Sequence, residues 1–194
     1  MAYALTQDLS LTPEEYLEGE AIAADKSEYI SGQVYAMAGA GDAHVKATLN
    51  AAVLLKNHLK GTGCSTYVAD MKVRIGEDEA FFYPDVMVSC DPEDQLPEHD
   101  YVKNHPKLII EVLSPSTEDI DRGRKFTLYR KLESLEEYLL IDPRKYAIEL
   151  FRRHNNHEWL LLTREGIDST ITLESIDLNL SLHDLYDEIR MASS

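Results

Sequence analysis

FFYPDVMV (residues 81–88) and KLIIEVL (107–113) each hold one carboxylate, Asp85 and Glu111, inside a strongly apolar run. Short runs rich in aromatic and β-branched residues read as strands, and the near-continuous apolarity of the second reads as a strand in a buried sheet. Burying an ionised carboxylate is unfavourable unless it is paired or bound to a cation. An exposed sheet edge would explain one such acid. Two of them in consecutive strands can be aimed at one place if the strands are neighbours. Divalent cations such as Mg²⁺ or Mn²⁺ take oxygen ligands of this kind, so Asp85 and Glu111 are candidate ligands. Pro84 cannot donate to a sheet ladder; it marks an edge or a bend that would re-aim Asp85.

Outward from these two strands, the chain alternates helical and extended patterns. Thr12-Pro13-Glu14-Glu15 is a helix start, with a Thr cap, Pro at the first position and Glu at the third, running to about Gly19. KSEYI and QVYAMA around Ser31-Gly32 read as a hairpin. Asp42 is expected to cap a helix that ends near Gly61, with Val45, Leu49, Ala52, Val53 and Lys56 on one face. CSTYVADMKVRI (64–75) and AFFYPDVMVSC (80–90) read as two long strands, followed by a polar loop over 91–106. A helix over 118–132, strands at 136–142, 146–153 and 158–164, and a last helix at 182–189 complete the pattern. The order predicts an α/β (α+β) domain with helices packed on a central mixed sheet. It is read as one domain over 1–194, with 1–24 as an N-terminal helical extension and 190–194 as a loose tail.

The chain has 35 acidic and 19 basic residues in 194, a net charge of −16. Nucleic-acid affinity rests mostly on Lys and Arg at phosphates, so a nucleic-acid role needs a local basic patch, bound metal or a partner. The bland explanation of the acidity is solubility. No run reaches the ~20 apolar residues of a membrane span. The N-terminus lacks the basic start and apolar stretch of a secretion signal. Cys64 and Cys90 have no metal-binding spacing and read as two reduced thiols. A cytoplasmic location and no membrane association are expected.

YPDVMV paired with LIIEVLSPST, then DRGRK and later EEYLLIDP, resembles the Uma-type family of the PD-(D/E)xK restriction-endonuclease-like superfamily. The likeness runs from TPEEYLE through Pro143 and includes SEYISGQVYAMAG and the helix bearing His44. Each motif is weak alone; their order and spacing together are specific. The resemblance implies a restriction-endonuclease-like core, with Asp85 and Glu111 as the metal acids on adjacent central strands and Glu28 completing the metal site. The superfamily's lysine would stand two residues after the second acid, where this chain has Leu113. Lys125 is then the migrated substitute and Lys72 the reserve. The implied reaction is metal-assisted phosphodiester hydrolysis, with lysine steadying negative charge at the phosphate.

Other residues carry weaker signals. His44 is more simply read as a structural or solvated helix residue. Ser114 and Ser116 lack a neighbouring His and suit a turn and helix cap. Arg122, Arg124, Lys125, Arg130 and Lys131 form the densest basic cluster, either a phosphate-contacting patch for nucleic acid, DNA first, or a solvated helix face. A Mg²⁺- or Mn²⁺-dependent DNA endonuclease is the leading expectation. A binding or assembly module that retains the fold is the rival, which the net charge favours. A nuclease for RNA or a small phosphodiester is a third. A homodimer would suit cutting both strands of a duplex.

Overall fold

A computed structural model describes residues 10–155 and 158–191. Helix α1 (Pro13–Glu20) begins with the expected reciprocal cap: Thr12 Oγ1 accepts from Glu15 N, and Glu15 Oε2 accepts from Thr12 N. Such a cap contributes about 1 kcal/mol. Strands β1 (Ser27–Ile30) and β2 (Gln33–Ala36) form the expected hairpin. Its turn places Ser31 at φ 47° and Gly32 at φ 90°. Both central residues thus have the positive φ that matches strand twist. A Cβ on Gly32 would also collide with Ser10 Oγ.

Helix α2 (Asp42–His58) is capped by Gly41, not Asp42; Asp42 sits in the first turn and pairs with Lys46 at 2.9 Å. Its Val45, Leu49 and Val53 do share a face, but that face is exposed. Ala47, Ala51 and Leu55 make the buried one.

The two long strands expected over 64–75 and 80–90 are each broken in the middle. The first becomes β3 (Ser65–Val68) and β4 (Lys72–Ile75), the second β5 (Ala80–Phe82) and β6 (Val86–Ser89). At both breaks the chain passes from one sheet to another. The two crossings lie side by side, because Ala69 N donates to Asp85 O at 3.1 Å. Pro84 explains the second crossing, since it has no N–H to extend the ladder. Ala69, at φ 40°, turns the first.

After β7 (Val102–Lys103) and β8 (Pro106–Val112) comes a helical segment in three pieces: α3 (Glu118–Ile120), a π-helical turn Asp121–Lys125, and α4 (Phe126–Tyr129). Strands β9 (Glu137–Asp142), β10 (Ala147–Arg153) and β11 (Trp159–Glu165) follow as expected. A hairpin of β12 (Thr170–Leu173) and β13 (Leu178–Ser181), unforeseen in the sequence, precedes α5 (Leu182–Leu185), which is shorter than the helix expected there. The expected loose tail lies largely outside the described residues.

The central sheet is six-stranded and mixed, in the order β11-β10-β9-β8-β6-β3, with β8 and β9 parallel. A second sheet has the order β2-β1-β5-β4-β7. Alternate residues of the central sheet face two cores. Val86, Val88, Leu108, Ile110 and Val112 pack with α2, α5 and the last hairpin. Met87, Ile109, Tyr138 and Leu140 pack with α4 and the second sheet. Helix α1 covers the far side of that sheet, where Tyr16 meets Tyr29 and Phe81. No helix among the described residues is long and apolar enough to cross a membrane.

Cys64 and Cys90 are joined in a disulfide, which corrects the reading of two free thiols. The cause is register. β3 and β6 are antiparallel with Ser65 opposite Ser89, so the next pair outward is Cys64 and Cys90, with Cα atoms 4.0 Å apart.

Candidate active site

Asp85 stands at the crossing just before β6, and Glu111 near the end of β8; these strands are antiparallel neighbours with Val86 opposite Ile110. Alternation sends Glu111 to the same side as Ile109, toward α4 and the second sheet. From that second sheet, Glu28 on β1 comes in on the face shared with Ile30. The helical segment after β8 supplies Lys125. Its ammonium lies 2.9 Å from Glu28 Oε1, 3.1 Å from Glu111 Oε1 and 3.7 Å from Asp121 Oδ1. Lys125 therefore points inward, and its bond to Asp121 is the longest of three. All four are buried: Glu28 is 1% exposed, Glu111 3%, Asp121 3% and Lys125 5%.

Each carboxylate is held by specific donors. Tyr129 Oη donates to Glu111 Oε1 at 2.9 Å, and Asp85 N approaches Glu111 Oε2 at 3.4 Å. Asp85 Oδ2 accepts from Val112 N at 2.7 Å, and Asp85 Oδ1 lies 2.8 Å from His44 Nε2. Glu28 Oε1 accepts from Tyr83 N at 3.2 Å, a donor freed by the strand break before Pro84. The π-helical turn aims both Asp121 and Lys125 inward; π-turns are frequent at functional positions because the extra residue re-aims side chains. Asp85 and His44 are the more open end, with side chains 21% and 19% exposed.

Burial raises the Glu111 carboxyl well above the usual range, with Lys125 opposing and Asp121, Asp85 and Glu28 adding to the rise. Burial likewise raises Asp121, against Lys125 and the Thr117 hydroxyl. Burial alone would lower the Lys125 ammonium, but Glu111, Glu28, Tyr129 and Asp121 together hold it well above its ordinary value. Lys125 is thus a lysine whose charge is favoured by an acidic shell, while burial favours the protonated form of Glu111.

Sequence reasoning had set His44 aside as structural, and it missed Asp121 and Tyr129. The DRGRK spacing from the SPST turn was the available signal for Asp121. Lys72 is not part of this cluster: it donates to Tyr83 Oη at 3.0 Å, which donates to Glu20 Oε1 at 2.9 Å. Leu113, in the place of the usual lysine, is core. The basic segment is largely engaged inside the molecule. Arg122 pairs with Glu149 at 2.8 Å and Glu118 at 3.0 Å, Lys131 with Glu79 at 2.6 Å, and Arg124 donates to Tyr35 Oη.

Among the described residues, the ligand-type atoms gathered within 4.8 Å of one another are those of Asp91, Glu93 and His105. They lie at the opposite end of the β6–β8 pair from Asp85 and Glu111. Asp85, Glu111 and Glu28 are not gathered in this way; the Lys125 ammonium lies against both Glu28 and Glu111. The donor set still suits a divalent cation. Three carboxylates, Glu28, Glu111 and Asp121, surround one ammonium, and Asp85 adjoins Glu111. Lys125 and Tyr129 engage Glu111 at Oε1, on the side away from Asp85 N. His44 Nδ1 is buried without a hydrogen-bond partner among the described residues.

The family profile "Uma2: Putative restriction endonuclease" matches residues 13–183. The chain belongs to the Uma2 family. Two relatives come from Synechocystis sp.: uncharacterized protein slr1290 is 38% identical over 176 residues, 91% of either chain, and sll1609 is 37% identical over 161, covering 83% of this chain and 91% of that one. The fold is shared with a crystal structure titled as a putative nuclease belonging to DUF820 from Anabaena variabilis. That match has a TM-score of 0.72 and 18% identity, over 91% of this chain and 97% of that one. The Uma2 chain described above therefore has the restriction-endonuclease-like fold expected from its motifs, and its family supports a nuclease-like function.

Proposed function

We propose that this Uma2 protein is a divalent-metal-dependent phosphodiesterase acting on DNA, with Asp85 and Glu111 as metal ligands, Glu28 as a third acid and Lys125 as the catalytic cation. The observation that carries the reading is the convergence of Glu111 and Glu28 from two sheets on one buried lysine, with Asp85 adjoining Glu111 at the open end. Mg²⁺ or Mn²⁺, when bound, would supply Lewis-acid polarisation of the phosphate and an activated water. Asp85 is oriented for this by the Val112 N–H and His44, and Glu111 by Tyr129 and Lys125. Lys125 stays protonated and offers an ammonium to negative charge growing on the phosphate. His44 Nε2, at the open end, lies 2.8 Å from Asp85 Oδ1 and fixes that carboxylate's orientation.

Cleavage of duplex DNA, single-stranded DNA and RNA, each with Mg²⁺, Mn²⁺ or chelator, tests the proposal with Asp85→Ala as control. Metal-dependent cutting of duplex DNA that is lost in Asp85→Ala is the expected result. Cutting that persists in chelator, or equally in Asp85→Ala, would sink it. A second reading, a binding or assembly module, is favoured by one observation: the basic segment pairs largely with the protein's own acids. It predicts no cleavage of any substrate with either metal.

A further inference from the structure

Helix α2 has an outer stripe that no described residue covers. Val45, Leu49 and Val53 are 53%, 58% and 48% exposed. Exposed apolar patches larger than a few hundred Å² mark interaction sites, and this row counts as one only together with the groove and strand edge beside it. The row is bounded by opposite charges: Asp42 at the N-terminal end, with its side chain 79% exposed, and the exposed Lys56 at the C-terminal end. The spacings 42, 45, 49, 53 and 56 read the same from either end, three, four, four and three residues, with Leu49 at the centre. Rotated half a turn about Leu49, the stripe lays Val45 on Val53 and Asp42 on Lys56. A contact between identical copies about a two-fold axis requires that kind of self-complementarity.

The surroundings extend the face. β3 is the last strand of the central sheet, and its outer edge is unpaired among the described residues. Between α2 and β3 lies a groove of about 300 Å³ lined by Ala52, Val53, Lys56, Asn57, Thr66 and Val68. Val68 is itself 46% exposed.

We propose that a second copy of this chain docks here, α2 against α2 in antiparallel order. Leu49 meets Leu49 of the partner subunit, Val45 meets the partner's Val53, and Asp42 meets the partner's Lys56. A copy is the occupant because the charge order suits it, with Asp42 still 79% exposed beside its own Lys46. Two chains of net charge −16 repel over most of their surfaces, and here acid is matched to base at both ends of an apolar centre. A helix of 17 residues is roughly 25 Å long, so α2 alone offers a strip of only about 250 Å². A stable interface takes about 800 Å² per partner, so the contact must also cover the groove and the edge of β3. This dimer is independent of the nuclease reading, and its test reads mass in solution, not cleavage.

The test is sedimentation equilibrium over a wide concentration range for the wild-type chain and four variants: Leu49→Glu, Asp42→Lys, Lys56→Asp and the double reversal. Circular dichroism of each confirms that these exposed substitutions leave the fold intact. The wild type should form a concentration-dependent dimer, and Leu49→Glu should be monomeric. Each single reversal turns two symmetry-related attractions into repulsions and should weaken the dimer roughly tenfold, whereas the double reversal should restore it. A wild type that is monomeric throughout, or a Leu49→Glu that dimerises unchanged, overturns the proposal. A double reversal no tighter than the singles overturns the antiparallel order.

Discussion

Lys125→Met removes the cation and keeps most of the side-chain volume. In the folded chain Lys125 is 5% exposed and lies within 3.7 Å of Glu28, Glu111 and Asp121. Breaking a buried pair from one side costs about 3–5 kcal/mol, because the remaining charge is stranded. For a chain of this size 1 kcal/mol is about 2–4 °C, so Tm should fall by roughly 6–20 °C near neutral pH. The loss should depend on pH. Glu111 is already raised by burial, and without Lys125 opposing that burial it rises further. Between its unfolded and folded pKa values the folded state then holds a proton that the unfolded state has released. Stability of the variant therefore falls as pH rises through that window. The gap to wild type should widen as pH rises above the usual carboxyl value of about 4.3, and is compared near pH 5 and near pH 8. Mg²⁺ or Mn²⁺ should narrow the gap at the higher pH by replacing the lost positive charge. Thermal unfolding by circular dichroism, at both pH values with metal and with chelator, measures all of this. A gap that does not change with pH, or a variant as stable as wild type, would refute the account of Lys125 as the counter-ion of the acidic shell.

Three further outcomes follow from the same geometry. Asp85→Asn should retain the fold but lose most of the thermal stabilisation by Mn²⁺ that the wild type shows, since the amide cannot supply the anionic ligand; differential scanning fluorimetry across Mn²⁺ concentrations reads this, and equal shifts in both proteins would count against the site. Tyr129→Phe removes the hydroxyl that donates to Glu111 Oε1 at 2.9 Å and should cost about 1–3 kcal/mol, measured by urea unfolding at neutral pH; no loss would mean that this bond does not hold Glu111. The Cys64–Cys90 bridge spans 26 residues, for which loop-closure entropy gives about 3.5 kcal/mol, so Cys64→Ser/Cys90→Ser should unfold at clearly lower urea; an unchanged midpoint would show that the bridge does not restrain the unfolded chain.

How much was legible follows from the kind of signal each residue carries. Asp85 and Glu111 could be found because a charge in an apolar strand contradicts its surroundings, and that contradiction is local. Pro84 announced a bend but not its consequence. That two strands break at the same level and change sheets depends on Ala69 meeting Asp85, a contact over 16 positions that no local pattern encodes. The exposure of Val45, Leu49 and Val53 was hidden for a related reason. Periodicity identifies a face but not which way it points, and α2 buries its alanines because small residues let the helix lie close to the sheet. The disulfide required the β3–β6 register. The π-turn, which aims Asp121 and Lys125 together, has no sequence signature short of the packing that produces it.

The charge balance acquires a physical meaning once the pairings are known. The cluster from Arg122 to Lys131 looked like a phosphate-binding patch because it is the densest run of bases in an acidic chain. In the fold, Arg122, Lys125 and Lys131 are tied to Glu149, Glu28, Glu111 and Glu79, and they fasten the helical segment to both sheets. Bases spent in this way release few counterions from a duplex, so little of the affinity for nucleic acid can come from them. The acid at the open end of the site, Asp85, is not among those they neutralise; it faces His44 and the Val112 N–H. A polyanion approaching that end meets negative charge, unless a divalent cation is already there. On the proposed reading, the cation would then be needed for docking as well as for chemistry, and the acidity of the chain would act as a gate that closes the site to phosphate when metal is absent.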